Sequence, residues 1–338
     1  MSILKRSGRW LVLLGIQLVV VFAMLEGIAR IFNPLGISYY PEMARYLDSL
    51  LLEEPIGYRN RPGLQDRFFG VPVSINTLGL RDREVHDKSP GEFRILVMGD
   101  SVPFGIGVRY EDSFPHQLEV ILNESHPKVR FRTLNMGVPS YNTEQQLIQL
   151  RSLGLTLRPD AALLLFSSND IEPKRWVLDK RKRWYVDLTQ RSYAGSLLFA
   201  MWREARGRFR QDSEAGATGM RDTSRVALDQ YRSDSPRWQA IDRSLTEINA
   251  SLRQRGIPFV LFTNEELPFI LEMLEAVARR EGFPLVALRK EGTRWAEQDP
   301  RLLRNSVVDG HPSPLGNRVL ATRLAENLVR LNIVRPKP

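Results

Sequence analysis

The 338-residue chain has no cysteine, which removes disulfides, thiolate metal sites, cysteine nucleophiles and a lipid-modified N-terminal cysteine in one step. It has only four histidines, so few side chains titrate near neutral pH. No internal repeat is present, and no group of polar residues stands at a recognisable metal-ligand spacing, so neither metal nor cofactor is expected. Acidic residues are scarce where basic ones gather. From Lys174 to Arg210 eleven Lys and Arg face only Asp179, Asp187 and Glu204, and this stretch carries most of the net charge of +9. Such a stretch is either a solvated face or a surface for anionic partners such as lipid head groups or acidic glycans.

One long apolar run is present. Lys5, Arg6 and Arg9 precede the segment from Trp10 to Phe32, whose uncharged part ends at Leu25. Glu26 and Arg30 stand one helical turn apart and can pair at the far interface, where charges cost least. The segment is expected to span a membrane once, with residues 1–32 forming the cytoplasmic flank and anchor. No good cleavage site follows it, so a removable signal peptide fits less well. The basic flank places the N-terminus in the cytoplasm and everything after Pro34 outside it, in the periplasm. That location argues against nucleic acid as a partner.

Residues 33–93 read as a connector with a short helix around Met43–Leu52, followed by extended pieces near Val71–Arg83. From Arg94 the pattern alternates. Ile95–Met98, Val129–Asn135, Ala161–Phe166, Ile257–Thr263 and Phe283–Leu288 are expected strands. Between and after them come expected helices at Ser113–Asn123, Glu144–Leu155, Trp238–Gln254 and Leu267–Glu281, and a last one after Pro314. Strands alternating with helices indicate an α/β domain over 94–338 with a parallel sheet covered on both faces. The rhythm breaks over 171–237, a basic insertion too long for an ordinary connection. Within it, Ser196–Arg210 mixes apolar and basic residues and suits either a bilayer surface or a helix packed on the core.

Polar clusters follow the first three strands: Gly99-Asp100-Ser101, then Asn135-Met-Gly137, then Ser167-Ser-Asn169-Asp170. The carboxyl ends of parallel strands share one edge, so these loops can meet. A serine hydroxyl needs a base to become a nucleophile, and histidine has the suitable pKa. His86 precedes the sheet, His116 opens a helix and His126 lies in a connection. His311 alone combines a nearby acid with a loop fixed by glycine and proline, in Asp309-Gly-His311-Pro-Ser-Pro, just before the last helix. Backbone N–H groups of Ser101 and Gly137, with the Asn169 amide, could receive an oxyanion. Asp100, Asn135 and Asp170 are expected to support these loops.

The four blocks, in this order, resemble the SGNH/GDSL hydrolase superfamily over roughly Arg94 to Val329, and Asn76-Thr-Leu-Gly-Leu-Arg81 is similar to the extension of its membrane-anchored bacterial members. The resemblance implies a flavodoxin-like three-layer α/β/α sandwich. It implies Ser101 as nucleophile, His311 as base, Asp309 as the acid, and an oxyanion hole of Ser101, Gly137 and Asn169. Two departures stand out. Ser167 replaces the usual Gly of the third block, and Val308 holds the usual acid position, so either Asp309 or a backbone carbonyl orients His311. The expected activity is ester hydrolysis on an acylated glycan or lipid, foremost the removal of O-acetyl groups from an envelope or exported polysaccharide. Acyl transfer by the same triad, a lysophospholipase and a non-catalytic scaffold are the alternatives.

Overall fold

The wholly apolar run of Ala161–Phe166 is long enough to cross a sheet once and has no polar side to face water, so it can only be an inner strand. In the computed structural model, which describes residues 2–174, 191–211, 230–265, 267–288 and 302–334, it lies at the middle of a five-stranded sheet. The strands are β5 (Glu92–Met98), β6 (Arg130–Asn135), β7 (Ala161–Phe166), β8 (Phe259–Thr263) and β9 (Leu285–Ala287). They run parallel in the order β6-β5-β7-β8-β9. This order reverses direction at β5, which makes the carboxyl end of β5 the switch point where open α/β sheets form a crevice.

Alternation along the strands builds two cores. Leu96, Met98, Leu134, Leu164 and Leu261 face one side, where they meet Leu150 of α5 (Thr143–Ser152), Ile241, Leu245 and Ile248 of α7 (Pro236–Arg253) and Leu274 of α8 (Pro268–Glu281). Ile95, Val97, Leu163, Leu165, Val260 and Phe262 face the other, against Phe114, Leu118 and Leu122 of α4 (Phe114–Ser125) and Leu320, Leu324 and Leu328 of α9 (Pro314–Arg330). The result is the expected three-layer α/β/α sandwich.

Local chemistry fixes the helix starts. Asn142 and Gln145 form a reciprocal capping box at α5, and the Ser235 and Ser313 hydroxyls accept N–H bonds at the first turns of α7 and α9, each followed by proline. Boundaries expected from periodicity differ from the observed ones by a few residues. The 3-10 turn Gly154–Leu157, for example, replaces the last residues expected of α5.

The chain divides into two compact units. The sandwich belongs to the larger, comprising Ser49–Asp179, Ala217–Asn305 and Gly310–Pro338. Before its sheet stand two small hairpins, β1 (Leu51–Glu53) with β2 (Gly57–Arg59), and β3 (Gln65–Phe68) with β4 (Val71–Ser74). The smaller unit gathers Met1–Asp48, Lys180–Gly216 and Ser306–Asp309. It holds α1 (Ser2–Phe32), α2 (Tyr39–Ser49) and α6 (Tyr193–Gln211), the last a helix within the basic insertion. Residues 175–190 and 212–229 of that insertion lie outside the described residues. In α1 the span Arg9–Phe32, with mean hydropathy 2.4, is long and apolar enough to cross a membrane.

Candidate active site

The turn that follows β5 is forced by a close approach. Gly99 has φ 145°, and a Cβ there would stand 2.7 Å from Pro103 Cγ and 3.0 Å from the Leu165 carbonyl of β7. Only glycine lets the chain leave the sheet this tightly. Asp100 then caps the short helix α3 (Ser101–Phe104), its Oδ1 accepting the Val102 N–H at 3.2 Å. The other oxygen, Oδ2, accepts from the Asn169 amide at 2.9 Å and lies 3.3 Å from Ser101 Oγ. Ser167 Oγ donates to Oδ1 at 3.4 Å. One carboxylate therefore ties the loop after β5 to the loop after β7, and Ser167, in the place expected of glycine, contributes a bond to it.

Ser101 is 9% exposed, and its Oγ lies 2.8 Å from His311 Nε2 although 210 residues separate them in the chain. With the proton on Nδ1, Nε2 is placed to accept the serine hydroxyl hydrogen. The His311 loop is held by antiparallel contacts with the preceding segment. Arg304 bridges Pro312, the His311 carbonyl accepts the Asn305 N–H at 2.9 Å, and Ser313 N–H donates to the Leu303 carbonyl at 3.0 Å. Asn305 also donates its side-chain amide to the Ile106 carbonyl at 2.9 Å. A single asparagine thus holds both the histidine loop and the loop that follows α3. Nothing in the sequence around Asn305 signals this, since a lone Asn in a polar loop has many uses.

Gly137 packs directly on the turn after β5. A Cβ there would lie 2.2 Å from Phe104 N, 2.8 Å from Pro103 C and 2.9 Å from the Asp100 carbonyl oxygen. Its N–H donates to Asn135 Oδ1 at 3.0 Å, while Asn135 Nδ2 donates to the Pro103 carbonyl at 2.7 Å. The expected oxyanion donor is therefore held by its own loop, and Asn135 sets the direction of that N–H.

The segment before the sheet takes a larger part than the sequence suggested. Arg81, almost wholly buried, donates to the carbonyls of Phe104 at 2.8 Å, Val108 at 2.6 Å and Gly105, and stacks 5.0 Å from the Phe104 ring. Asp82 accepts the Asn135 N–H at 2.9 Å, the Tyr110 hydroxyl at 2.7 Å and Arg132 at 2.7 Å. Two adjacent residues therefore hold the turn after β5 and the end of β6.

Asp170 is buried and does not face the serine. Its Oδ2 accepts from Thr143 Oγ1 at 2.8 Å and Gln146 Nε2 at 3.3 Å, and its Oδ1 has no hydrogen-bond partner among the described residues. Burial pushes its carboxyl well above the usual range, with the nearby Asp100 charge adding to the effect. It backs the 3-10 turn Ser168–Ile171 that carries Asn169. Asp309 is buried in the smaller unit, in a turn closed by Ser306: its N–H donates to Ser306 Oγ at 2.9 Å and its carbonyl accepts the Ser306 N–H at 3.1 Å. His116 and His126 pack against Tyr110 and Phe131. Among the described residues no group of three or more His, Asp and Glu side chains is arranged to hold a metal ion.

The profile of the GDSL-like lipase/acylhydrolase family matches residues 97–319. Solved structures with a similar fold include TesA, at 16% identity with 70% of this chain and 99% of that chain covered and a TM-score of 0.42. A lipase/acylhydrolase from Enterococcus faecalis matches at 12% identity, with coverage of 73% and 99% and a TM-score of 0.44. The acetyl xylan esterase AlAXEase matches at 14%, with coverage of 70% and 100% and a TM-score of 0.43. No curated protein sequence matches the chain.

Proposed function

Because the chain belongs to the GDSL-like lipase/acylhydrolase family and is an ester-bond hydrolase, we propose that it is a membrane-anchored serine esterase acting outside the cytoplasm. Its substrates are O-acyl groups, foremost O-acetyl groups, on an envelope or exported polysaccharide. The observation that carries the mechanism is the 2.8 Å approach of His311 Nε2 to Ser101 Oγ.

In this reading His311 Nε2 takes the Ser101 hydroxyl proton as Oγ bonds to the acyl carbon. The carbonyl electron pair moves onto oxygen, giving an oxyanion. The Ser101 N–H, the Asn169 amide and the Gly137 N–H stabilise it; Gly137 shares its hydrogen between Asn135 and the oxyanion as a three-centre bond. As the tetrahedral centre collapses, the ester C–O bond breaks and His311 returns its proton to the departing sugar oxygen. Water then attacks the acyl-serine with His311 again as base, releasing the carboxylic acid and restoring Ser101. Asp309, two residues before His311, orients the imidazole and offsets its charge when protonated. Asp100 and Asn135 hold the donors in place.

The anchor supports the location: α1 is apolar over Arg9–Phe32, with basic residues before it and Glu42, Asp48, Glu53 and Glu54 after it. An enzyme tethered there meets envelope glycans and not cytoplasmic esters.

Ser101→Ala should lower kcat on p-nitrophenyl acetate by roughly 10⁴-fold or more while leaving the fold intact. A fluorophosphonate probe should label the wild type and not this variant. Hydrolysis unchanged in Ser101→Ala would overturn the nucleophile assignment.

A further inference from the structure

The helix α6 carries an apolar stripe that the described residues leave uncovered. Leu198, Met201, Trp202 and Ala205 are all exposed, and their spacing of three, four and seven places them on one face. The opposite side is already used. Ala194 and Ala200 are buried, and Ala200 joins Ala29 and Ile37 in a small cluster that Leu197 packs against. The helix is therefore apolar on two sides: Ala194, Ala200 and the partly buried Tyr193 and Leu197 face inward, and Leu198, Met201 and Trp202 face outward.

The start of α6 is fixed to α1. Glu26 accepts the N–H groups of Ala194 at 2.7 Å and Tyr193 at 3.2 Å, and the Ser192 hydroxyl at 2.9 Å. Arg30 pairs with the same carboxylate at 2.8 Å and stacks 4.8 Å from the Tyr193 ring. Glu26 is the first acidic residue after the apolar run, so this latch stands where α1 leaves the apolar layer. From there α6 passes Ala29 and Ile37, beside the equally exposed Ile31, Phe32 and Leu35 of the segment leaving α1. Phe199 stacks on Tyr40 of α2 at 5.8 Å and on Trp202 at 5.9 Å, which supports the indole from behind.

We propose that this stripe of α6 docks on the surface of the bilayer that α1 enters, inserting Leu198, Met201 and Trp202 among anionic lipid head groups. The proposal rests on reading α1 as a membrane span. Continuity supports it, because the stripe is anchored at the level where α1 emerges. Composition supports it too. The sequence of α6 continues with Arg203, Arg206, Arg208 and Arg210 against the single acid Glu204, the balance expected of a helix drawn to an anionic leaflet. A tryptophan on the apolar side suits the interface, where its ring is amphipathic.

The absence of cysteine makes the test direct, since one engineered cysteine gives one label. The full chain would be reconstituted in nanodiscs of phosphatidylglycerol and phosphatidylcholine containing shallow nitroxide lipids, with a fluorophore on Val19→Cys or Met201→Cys in turn. Val19 reports the span, and nanodiscs without nitroxide lipids set the unquenched level. The expected result is strong quenching at positions 19 and 201. Quenching at 201 should fall by at least about twofold in phosphatidylcholine alone, because the anionic attraction is lost. It should also vanish in a Met201→Cys chain that carries Leu198→Asp and Trp202→Ser. Quenching at 19 with none at 201 overturns the docking and leaves the anchor standing. No quenching at 19 overturns the anchor, and the docking with it. Hydrolysis of soluble p-nitrophenyl acetate should stay unchanged in all these chains, confirming that the enzyme unit is folded.

Discussion

Replacing Gly137 by alanine adds one methyl group where the structure has no room for it. The new Cβ would meet Phe104 N at 2.2 Å, Pro103 C at 2.8 Å and the Asp100 carbonyl oxygen at 2.9 Å, whereas ordinary contact begins near 3.4 Å. All three are main-chain atoms of the nucleophile turn, so no side chain can swing away. Clearing the overlap requires the loop after β6 and the turn after β5 to separate by about 1 Å, and a displacement of that size at a reacting centre costs on the order of 10²-fold in rate. The Gly137 N–H moves with its loop, and loss of one oxyanion donor by itself costs about 10²–10³-fold. Both estimates therefore converge on a fall in kcat of roughly 10²–10³-fold.

The stability cost is smaller, about 1–3 kcal/mol for overpacking, or a few degrees in Tm for a domain of this size. Steady-state hydrolysis of p-nitrophenyl acetate, read beside a circular-dichroism melt, separates the two effects. Gly256→Ala is the control: Gly256 has φ +68° with nothing within 4 Å of its would-be Cβ, so it should lose stability and keep kcat. If folded Gly137→Ala retains more than about half of the wild-type kcat, neither the close approach nor the donor matters and the reasoning fails.

Asp309→Asn should lower kcat by about 10²–10⁴-fold if this acid orients His311; a loss under threefold in kcat would transfer that role to a backbone carbonyl. Asn305→Ala removes the bond to the Ile106 carbonyl and should reduce kcat about tenfold with KM nearly unchanged, since it loosens the loop that carries His311; a change in KM alone would contradict the positioning role. Burial first, and the Asp100 charge second, raise the Asp170 carboxyl in the folded protein. The unfolded chain ionises it as pH passes the ordinary carboxylate range, so this group's stability is full at acid pH and is lost as pH rises toward the folded value. Denaturant titrations should accordingly show the stability of Asp170→Asn gaining on the wild type from pH 4 to pH 8; a constant difference would mean that Asp170 is ionised in the folded protein.

The strands and the close pair Ser101 and His311 were legible because their signals are local. Ile95–Met98 and Ala161–Phe166 are continuous apolar runs, and both Ser101 and His311 lie in loops punctuated by glycine or proline. What the sequence could not convey were bonds between segments with no shared pattern. Arg81 reads as a surface charge in an extended segment, yet it is buried with its guanidinium spent on three carbonyls of the turn after β5. Asn305 reads as one polar loop residue among several. The helix α6 was visible only as a choice between a membrane face and a core face. Its apolar residues serve both sides, Ala194, Ala200 and Leu197 inward and Leu198, Met201 and Trp202 outward, so no single stripe in the sequence separates the two.

The part played by Arg81 and Asp82 sets where this enzyme can be cut. The family match begins at residue 97, which would suggest a minimal fragment starting just before β5. Such a fragment would leave the carbonyls of Phe104, Gly105 and Val108 and the N–H of Asn135 without the groups that now satisfy them. The compact unit instead starts at Ser49 and takes both small hairpins with it. Arg81 and Asp82 therefore make the stretch from Ser49 to β5 part of the larger unit itself, and a working fragment has to keep it.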